Sequence, residues 1–114
     1  MEETYIDTIS GKELIRELYY QQDNTNYRTG EYYTTINGKF HREDGPAVIH
    51  YNKNGKIEQE CYYLRDQLHR SNGPAIIDYN EDGSIIEKLY FEWGKEMDVL
   101  KEIVIRGLEM NPLV

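Results

Sequence analysis

The chain has 114 residues, a length typical of one domain, and a formal net charge of −8 at pH 7. Aromatic residues make up 12% of the chain, which argues against disorder because disordered segments are poor in them. The acidic balance argues against a general binder of nucleic acid or of anionic membranes, since phosphate surfaces attract basic proteins. No apolar secretory segment and no run of 18 apolar residues is evident, so we expect a cytoplasmic protein, either of its own cell or of a host cell.

The first part of the chain has two competing interpretations. Residues 5–20 are predicted to form a degenerate first hairpin, because the sequence of residues 15–20 is similar to that of residues 86–91. The alternative is a helix over residues 11–20, because residues 10–13 match the Ser-x-x-Glu capping box that often starts a helix. The self-similarity favours the strand, and the sequence leaves both open.

The central part of the chain is a tandem repeat. After a polar loop over residues 21–30, two repeat units are predicted over residues 31–66 and 67–95. The heptapeptide His-Arg-x-x-Gly-Pro-Ala occurs at residues 41–47 and again at 69–75. Each copy is followed by a β-branched stretch, an Asn-x-x-Gly turn and a second strand-like stretch. The pattern predicts consecutive β-hairpins.

The tail differs in its periodicity. Met97, Leu100, Val104 and Leu108 recur at helical spacing, which predicts a helix over residues 97–108. Repeat sheets need their ends covered, so we expect this helix to cap the last hairpin or to lie across the sheet. The predicted fold is a single, mainly β domain: an antiparallel sheet of consecutive hairpin repeats with a C-terminal capping α-helix.

The heptapeptide, the Tyr-x-x-x-Gly turn and the aromatic pair that follows resemble the MORN-repeat-variant family of bacterial, phage and giant-virus proteins. The resemblance covers residues 31–95 and, weakly, residues 5–20. It implies an elongated sheet of hairpins. Some bacterial members are antitoxin components, and others are protein- or lipid-binding scaffolds. No catalytic residue comes with the resemblance.

The repeated motif residues are expected to be structural. Each imidazole would satisfy backbone groups of the turn into Gly-Pro-Ala. Each arginine would pair with an acidic neighbour such as Glu43 or with the adjacent repeat, and the alternative is that the arginines bind an anion. Each glycine would allow positive φ or close backbone approach, and each proline would start a strand where no hydrogen-bond donor is needed. The eight residues are His41, Arg42, Gly45, Pro46, His69, Arg70, Gly73 and Pro74.

Other chemistry finds little support in the sequence. A zinc site needs about four ligands, and one cysteine with three histidines shows no recognised spacing, so neither a metal nor a cofactor is predicted. Cys61 has no basic neighbour to lower its pKa and is expected to be inert. We predict that the protein is not an enzyme.

Adjacent tyrosines point to opposite sheet faces, so one of each pair is expected in an exposed row. Tyrosine is favoured in binding hot spots, and the same side chains also stabilise a thin sheet by cross-strand stacking. The predicted partner-binding residues are Tyr32, Tyr62, Tyr90, Glu58, Glu60 and Asp78.

The predicted function is a non-enzymatic protein-binding module. It would be a small inhibitor, such as an antitoxin, an immunity protein or a phage-encoded anti-defence protein. It would cover the functional surface of a basic protein partner with an acidic, Tyr-rich sheet face, with no membrane and no direct nucleic acid involved. One alternative is an assembly protein that forms a homodimer or larger array through its sheet edges. Another is a small-ligand or metal site at the two heptapeptide loops.

Overall fold

The computed structural model describes residues 1–21 and 27–97, which form an antiparallel sheet of eight strands and a separate two-stranded ribbon. In chain order the strands are β1 (Glu2–Ile6), β2 (Glu13–Tyr20), β3 (Arg28–Thr34), β4 (Val48–Tyr51), β5 (Ile57–Cys61), β6 (Tyr63–Leu64), β7 (Gln67–Leu68), β8 (Ile76–Tyr79), β9 (Ile85–Glu92) and β10 (Lys95–Met97). The large sheet has the order β1, β2, β3, β4, β5, β8, β9, β10, and the ribbon joins β6 to β7. The expectation of a mainly β protein built from consecutive antiparallel hairpins is confirmed.

The turns of the two repeated hairpins have the predicted form. In the β4–β5 hairpin the Gly55 N–H donates to the Asn52 carbonyl, and Gly55 has φ of 79°. In the β8–β9 hairpin Gly83 and Asn80 form the same bond, with φ of 90° at Gly83. Only glycine adopts this left-handed conformation without a steric cost, which explains its place at the end of both Asn-x-x-Gly turns.

The repeat extends into a second kind of turn. Arg65 and Asp66, between β6 and β7, both have positive φ, at 50° and 66°. The corresponding positions of the next unit, Trp93 and Gly94 between β9 and β10, have φ of 47° and 82°. Two successive residues with positive φ give the tight two-residue turn that matches strand twist. Each long hairpin, β4–β5 or β8–β9, is therefore followed by a short hairpin, β6–β7 or β9–β10.

Residues 13–20 form a strand, and the alternative of a helix there is not observed. The register gives this strand a different counterpart from the one that the sequence suggested. Leu18 of β2 lies opposite Glu31 of β3, as Ile49 of β4 lies opposite Glu60 of β5. The strand β2 therefore corresponds to β4 and not to β9, and the β1–β2 connection takes the place of a heptapeptide loop.

Two predicted boundaries differ from the structure. The sheet resumes at Arg28, so residues 28–30 belong to β3 and not to the loop predicted over residues 21–30. The helix predicted over residues 97–108 lies outside the described residues except for Met97, which ends β10.

Within residues 1–21 and 27–97, no helix has the length and apolarity needed to cross a membrane.

Directly paired residues of antiparallel strands point to the same side, so the register defines two faces. The row Glu31, Ile49, Glu60, Ile77 and Lys88 marks one side, called here the Glu31 face. The row Tyr32, Val48, Cys61, Ile76 and Leu89 marks the other, called the Tyr32 face. The main core cluster is formed by Leu14, Tyr33, Ala47 and Ile49 in the first half of the sheet.

Candidate binding surface

The first heptapeptide loop folds around its arginine. The Arg42 guanidinium carbon lies 3.9 Å from the centroid of the Tyr33 ring, and its NH1 group donates to the Pro46 carbonyl at 3.0 Å. A Cβ atom on residue 45 would lie 2.8 Å from that same guanidinium carbon. Any side chain at position 45 would therefore displace the stacked guanidinium, whereas the backbone of Gly45 does not have the positive φ that favours glycine. The Arg42 Nε also donates to Asp44 Oδ1 at 2.7 Å, so the acidic partner is Asp44, not Glu43.

The second loop repeats this arrangement with one difference. Arg70 lies 3.9 Å from the centroid of Tyr62, and its NH1 group donates to the Pro74 carbonyl at 3.2 Å. A Cβ on Gly73 would lie 3.0 Å from the Arg70 guanidinium carbon. Position 72, however, is an asparagine where the first loop has Asp44. No described residue places a carboxylate within ion-pair distance of Arg70.

The two motif histidines link each loop to the short hairpin that follows. His41 Nδ1 accepts a hydrogen bond from the Arg65 N–H at 3.0 Å, and His69 Nδ1 accepts one from the Trp93 N–H at 3.1 Å. Both imidazoles are buried. The sequence predicted that each would satisfy the turn into its own Gly-Pro-Ala, whereas the structure places the bonded N–H in the turn of the next short hairpin. The described part of the chain holds no group of three or more His, Cys, Asp or Glu suited to a metal ion.

The first loop is covered by the N-terminal turn through two aspartates. Asp7 is fully buried and accepts hydrogen bonds from the N–H groups of Glu43 and Asp44, at 2.6 and 3.2 Å. Asp44 in turn accepts bonds from the N–H and hydroxyl of Thr8, both at 2.8 Å, and from the Tyr5 hydroxyl. Burial raises the pKa of Asp44, but these bonds and the one from Arg42 hold it well below its usual range.

A second buried carboxylate lies on the Glu31 face. Glu31 accepts hydrogen bonds from Arg16 at 3.0 Å and Tyr51 at 2.8 Å, and it also accepts one from Tyr33. Burial raises the pKa of Glu31, but these bonds lower it overall, and Arg28 adds an ion pair at 3.3 Å. Burial and the bond to Glu31 raise the pKa of Tyr33 to about 12. The network satisfies a charge that would be costly to bury alone.

The Tyr32 face carries a polar ladder across four strands. The Tyr32 hydroxyl lies 3.3 Å from His50 Nε2, and His50 Nδ1 lies 3.2 Å from Gln59 Oε1. Gln59 Nε2 then donates to Asp78 Oδ1 at 2.8 Å. The residues belong to β3, β4, β5 and β8, so one side-chain hydrogen-bond chain crosses the middle of the sheet.

The predicted partner-binding residues do not form one surface. Glu60, Tyr62 and Tyr90 lie on the Glu31 face, and Tyr32 and Asp78 lie on the Tyr32 face. Glu58 is exposed at the bulge that opposes His50 and Tyr51. Successive residues of a strand point to opposite faces, and the register decides which residues of neighbouring strands share a face, so the sheet divides this candidate set.

Four of these six residues already have partners within the chain, since Tyr32 and Asp78 belong to the polar ladder and Tyr62 and Glu60 make contacts on the other face. Tyr62 supports Arg70, and Glu60 accepts a bond from the Tyr79 hydroxyl at 2.6 Å. Cys61, which lies between Glu60 and Tyr62 in the sequence, is buried. Its burial raises the pKa of its thiol to about 11, and the negative charges of Asp78 and Glu60 act in the same direction. That environment opposes thiolate formation.

Sequence reasoning missed the contribution of Asp7 and of the Tyr5 hydroxyl. Asp7 caps its own turn by accepting bonds from the N–H groups of Ile9 and Ser10, both at 2.9 Å. This local turn can be predicted from the sequence, because an aspartate often accepts hydrogen bonds from backbone N–H groups two or three residues after it. Its contact with the distant heptapeptide loop has no local signal.

No protein-family model, no curated protein and no solved structure matches the chain. The similarity to the MORN-repeat-variant family therefore stays a prediction that depends on the quoted motif residues.

Proposed function

We propose that this protein is a non-enzymatic binding module. It acts as a small inhibitor of the antitoxin, immunity or anti-defence type by covering the functional surface of a basic protein partner. The observation that supports the proposal most directly is that side chains are buried in the first half of the sheet and exposed around the turn of the last long hairpin. The first half packs against the N-terminal strands, whereas residues 81–88 of the last long hairpin are all exposed.

The last two hairpins offer apolar side chains for contact. Ile86 is 61% exposed and Trp93 is 51% exposed. Exposed aromatic and aliphatic side chains of this kind are typical anchors at protein interfaces when they are rimmed by polar groups. Tyr90 is half-buried on the Glu31 face nearby and adds contact area.

The charge of the protein supports a basic partner. The exposed turn of the last long hairpin carries Glu81 and Asp82, and Glu87 is exposed on the strand that follows. With a net charge of −8, the molecule attracts a positively charged surface and repels an acidic one. The partner's association rate constant should fall as salt screens this attraction.

The test begins with affinity capture from lysate, followed by purification of the captured protein and measurement of its Kd and association rate. We expect a basic partner that binds at 1:1 stoichiometry, with affinity lowered at least tenfold by Ile86→Asp, in line with the usual cost of losing an interface anchor, about 2 kcal/mol. The matched control is Ile36→Asp, because Ile36 is 83% exposed in the first unit. Equal losses in both variants, or an acidic partner, would contradict the proposal.

Self-association is the alternative, and one observation favours it. The strand β1 is an edge strand of five residues, and such edges offer unpaired backbone groups to a second chain. Light scattering over a range of concentrations distinguishes the two functions, since an assembly protein becomes larger as concentration rises and an inhibitor of another protein does not.

A further inference from the structure

The two heptapeptide loops lie side by side and enclose a cleft of about 370 Å³. Its walls include Arg42 and Asp44 from the first loop and Arg70 and Asn72 from the second, with Tyr62 between them. We propose that this cleft binds a carboxylate group through the guanidinium of Arg70.

The first loop serves as an internal template for the site. Both arginines lie 3.9 Å from a tyrosine ring and both donate NH1 to a proline carbonyl, so their guanidinium groups are held in the same way. In the first loop, Arg42 uses Nε for Asp44 Oδ1 at 2.7 Å and NH2 for the Tyr5 hydroxyl at 3.3 Å. The first loop therefore shows that a guanidinium held in this way donates to a carboxylate and to a hydroxyl oxygen.

At Arg70 the described residues supply neither of these partners. Asn72 stands in place of the aspartate, and no tyrosine hydroxyl of the described part donates to or accepts from Arg70. A half-buried guanidinium with unused donors in a cleft is a ready site for an oxygen acceptor. The ring of Tyr62 and the carbonyl of Pro74 fix its orientation in advance, which lowers the entropic cost of binding.

Two of the other charged side chains that line the cleft, Arg42 and Asp44, pair with each other at 2.7 Å. Glu43 lies 3.5 Å from His41 Nε2, within ion-pair distance but without hydrogen-bond geometry, so that buried nitrogen has no hydrogen-bond partner in the described part of the chain. Arg70 is therefore the lining cation without a carboxylate partner among residues 1–21 and 27–97.

The same wall explains why a carboxylate fits better than a phosphate. The carboxylates of Glu43 and Asp44 repel a doubly charged phosphate more strongly than a singly charged carboxylate. The guanidinium fork also matches the planar geometry of a carboxylate. The carboxylate has two possible sources, a polypeptide side chain or a free small acid.

The experiment follows the arginine Nε–H signals by ¹H–¹⁵N NMR at constant ionic strength. The probes are N-acetyl-glutamic acid amide, acetate and inorganic phosphate, with N-acetyl-glutamine amide as the neutral control. We expect the Arg70 signal to shift saturably with the two carboxylates and not with the glutamine compound, while the Arg42 signal stays fixed because Asp44 occupies it. If the glutamate compound saturates the signal at a lower concentration than acetate does, the natural ligand is a polypeptide side chain. If the two compounds saturate it at equal concentrations, the site binds small free acids. A larger response to phosphate, or an equal shift of Arg42, would overturn the proposal.

A variant pair tests the same assignment by changing the protein. Asn72→Asp recreates the aspartate of the first loop, so it should move the Arg70 Nε–H signal towards that of Arg42, raise Tm and abolish the carboxylate titration. Asn72→Ala is the matched control and should keep the titration. Undiminished carboxylate binding by Asn72→Asp would show that Arg70 is not the receptor.

Discussion

The imidazole of His41 accepts a hydrogen bond from the backbone N–H of Arg65 at 3.0 Å, across a long stretch of sequence. The Arg65 residue is the first of a two-residue turn with positive φ, and the imidazole is the acceptor for its N–H there. The histidine therefore fixes the short hairpin onto the preceding loop, and the repetition of this bond between His69 and Trp93 explains why the histidine recurs at the same place in each unit.

We expect His41→Ala to lower the free energy of unfolding by about 1–3 kcal/mol, because it leaves the Arg65 N–H without its acceptor. His41→Asn should lose less, since its side-chain oxygen can accept the same bond. Urea denaturation of both variants measures the difference. Equal stability of the alanine and asparagine variants would mean that imidazole volume, and not the hydrogen bond, is what matters.

The contact between Gly45 and Arg42 gives a second prediction. Gly45→Ala brings a Cβ to 2.8 Å from the guanidinium carbon, so the arginine must shift from its position on the Tyr33 ring and from its bonds to Asp44 and Pro46. We expect a loss of about 1–3 kcal/mol in the free energy of unfolding, as for other overpacked sites. In an Arg42→Ala background the same change should cost much less, because the obstructing group is gone.

A double-mutant cycle measured by chemical denaturation isolates this coupling. Additive effects of the two substitutions would show that glycine is needed at position 45 for backbone reasons. The corresponding cycle at Gly73 and Arg70 is a check within the same molecule, since the predicted Cβ distance there is 3.0 Å.

The sequence predicted the local features of this fold well. Both Asn-x-x-Gly turns follow from residues close to one another in the chain, and the β-branched stretches after each Gly-Pro-Ala predict their strands. Hydrogen bonds of this range depend on residue type and spacing, which a sequence displays directly.

The contacts that sequence reasoning missed are long-range. Asp7 bonds to the backbone of Glu43 and Asp44, and nothing near Asp7 indicates that this turn lies over a loop so distant in the chain. The split of the candidate surface between two faces has a related cause. The register decides whether the odd-numbered or the even-numbered residues of a strand share a face with a given residue of its neighbour. The register is set by pairing between strands, which no short stretch of sequence displays.

The pKa of Glu31 predicts how stability depends on pH. Its folded pKa is lowered from an ordinary value of 4.5, so its contribution to stability is fully present above that value and is lost as pH falls through the folded pKa. Asp44 behaves in the same direction from an ordinary value of 3.8. We therefore expect the free energy of unfolding to decrease from about pH 5 downwards.

Glu31→Gln tests this assignment. The variant should be less stable than the parent at pH 7, where it loses the charge that Arg16 neutralises, and the difference should shrink as pH approaches 3. Denaturation at several pH values measures both curves. A constant difference across the pH range would assign the effect to packing and leave the acid sensitivity to other carboxylates.

The reactivity of the Cys61 thiol measures how closely the Tyr32 face is packed around β5. Its side chain is buried, and burial raises the pKa of the thiol from 9.0 to about 11. The thiolate is the reactive form, so a rise of this size lowers its amount at pH 8 about a hundredfold, before limited access slows the reaction further. We expect a thiol reagent to modify the native protein at least about a hundredfold more slowly than the protein in denaturant, with the native rate rising in the destabilised His41→Ala variant. Rapid modification of the native protein would place the thiol at an accessible surface and contradict the close packing of the Tyr32 face around β5.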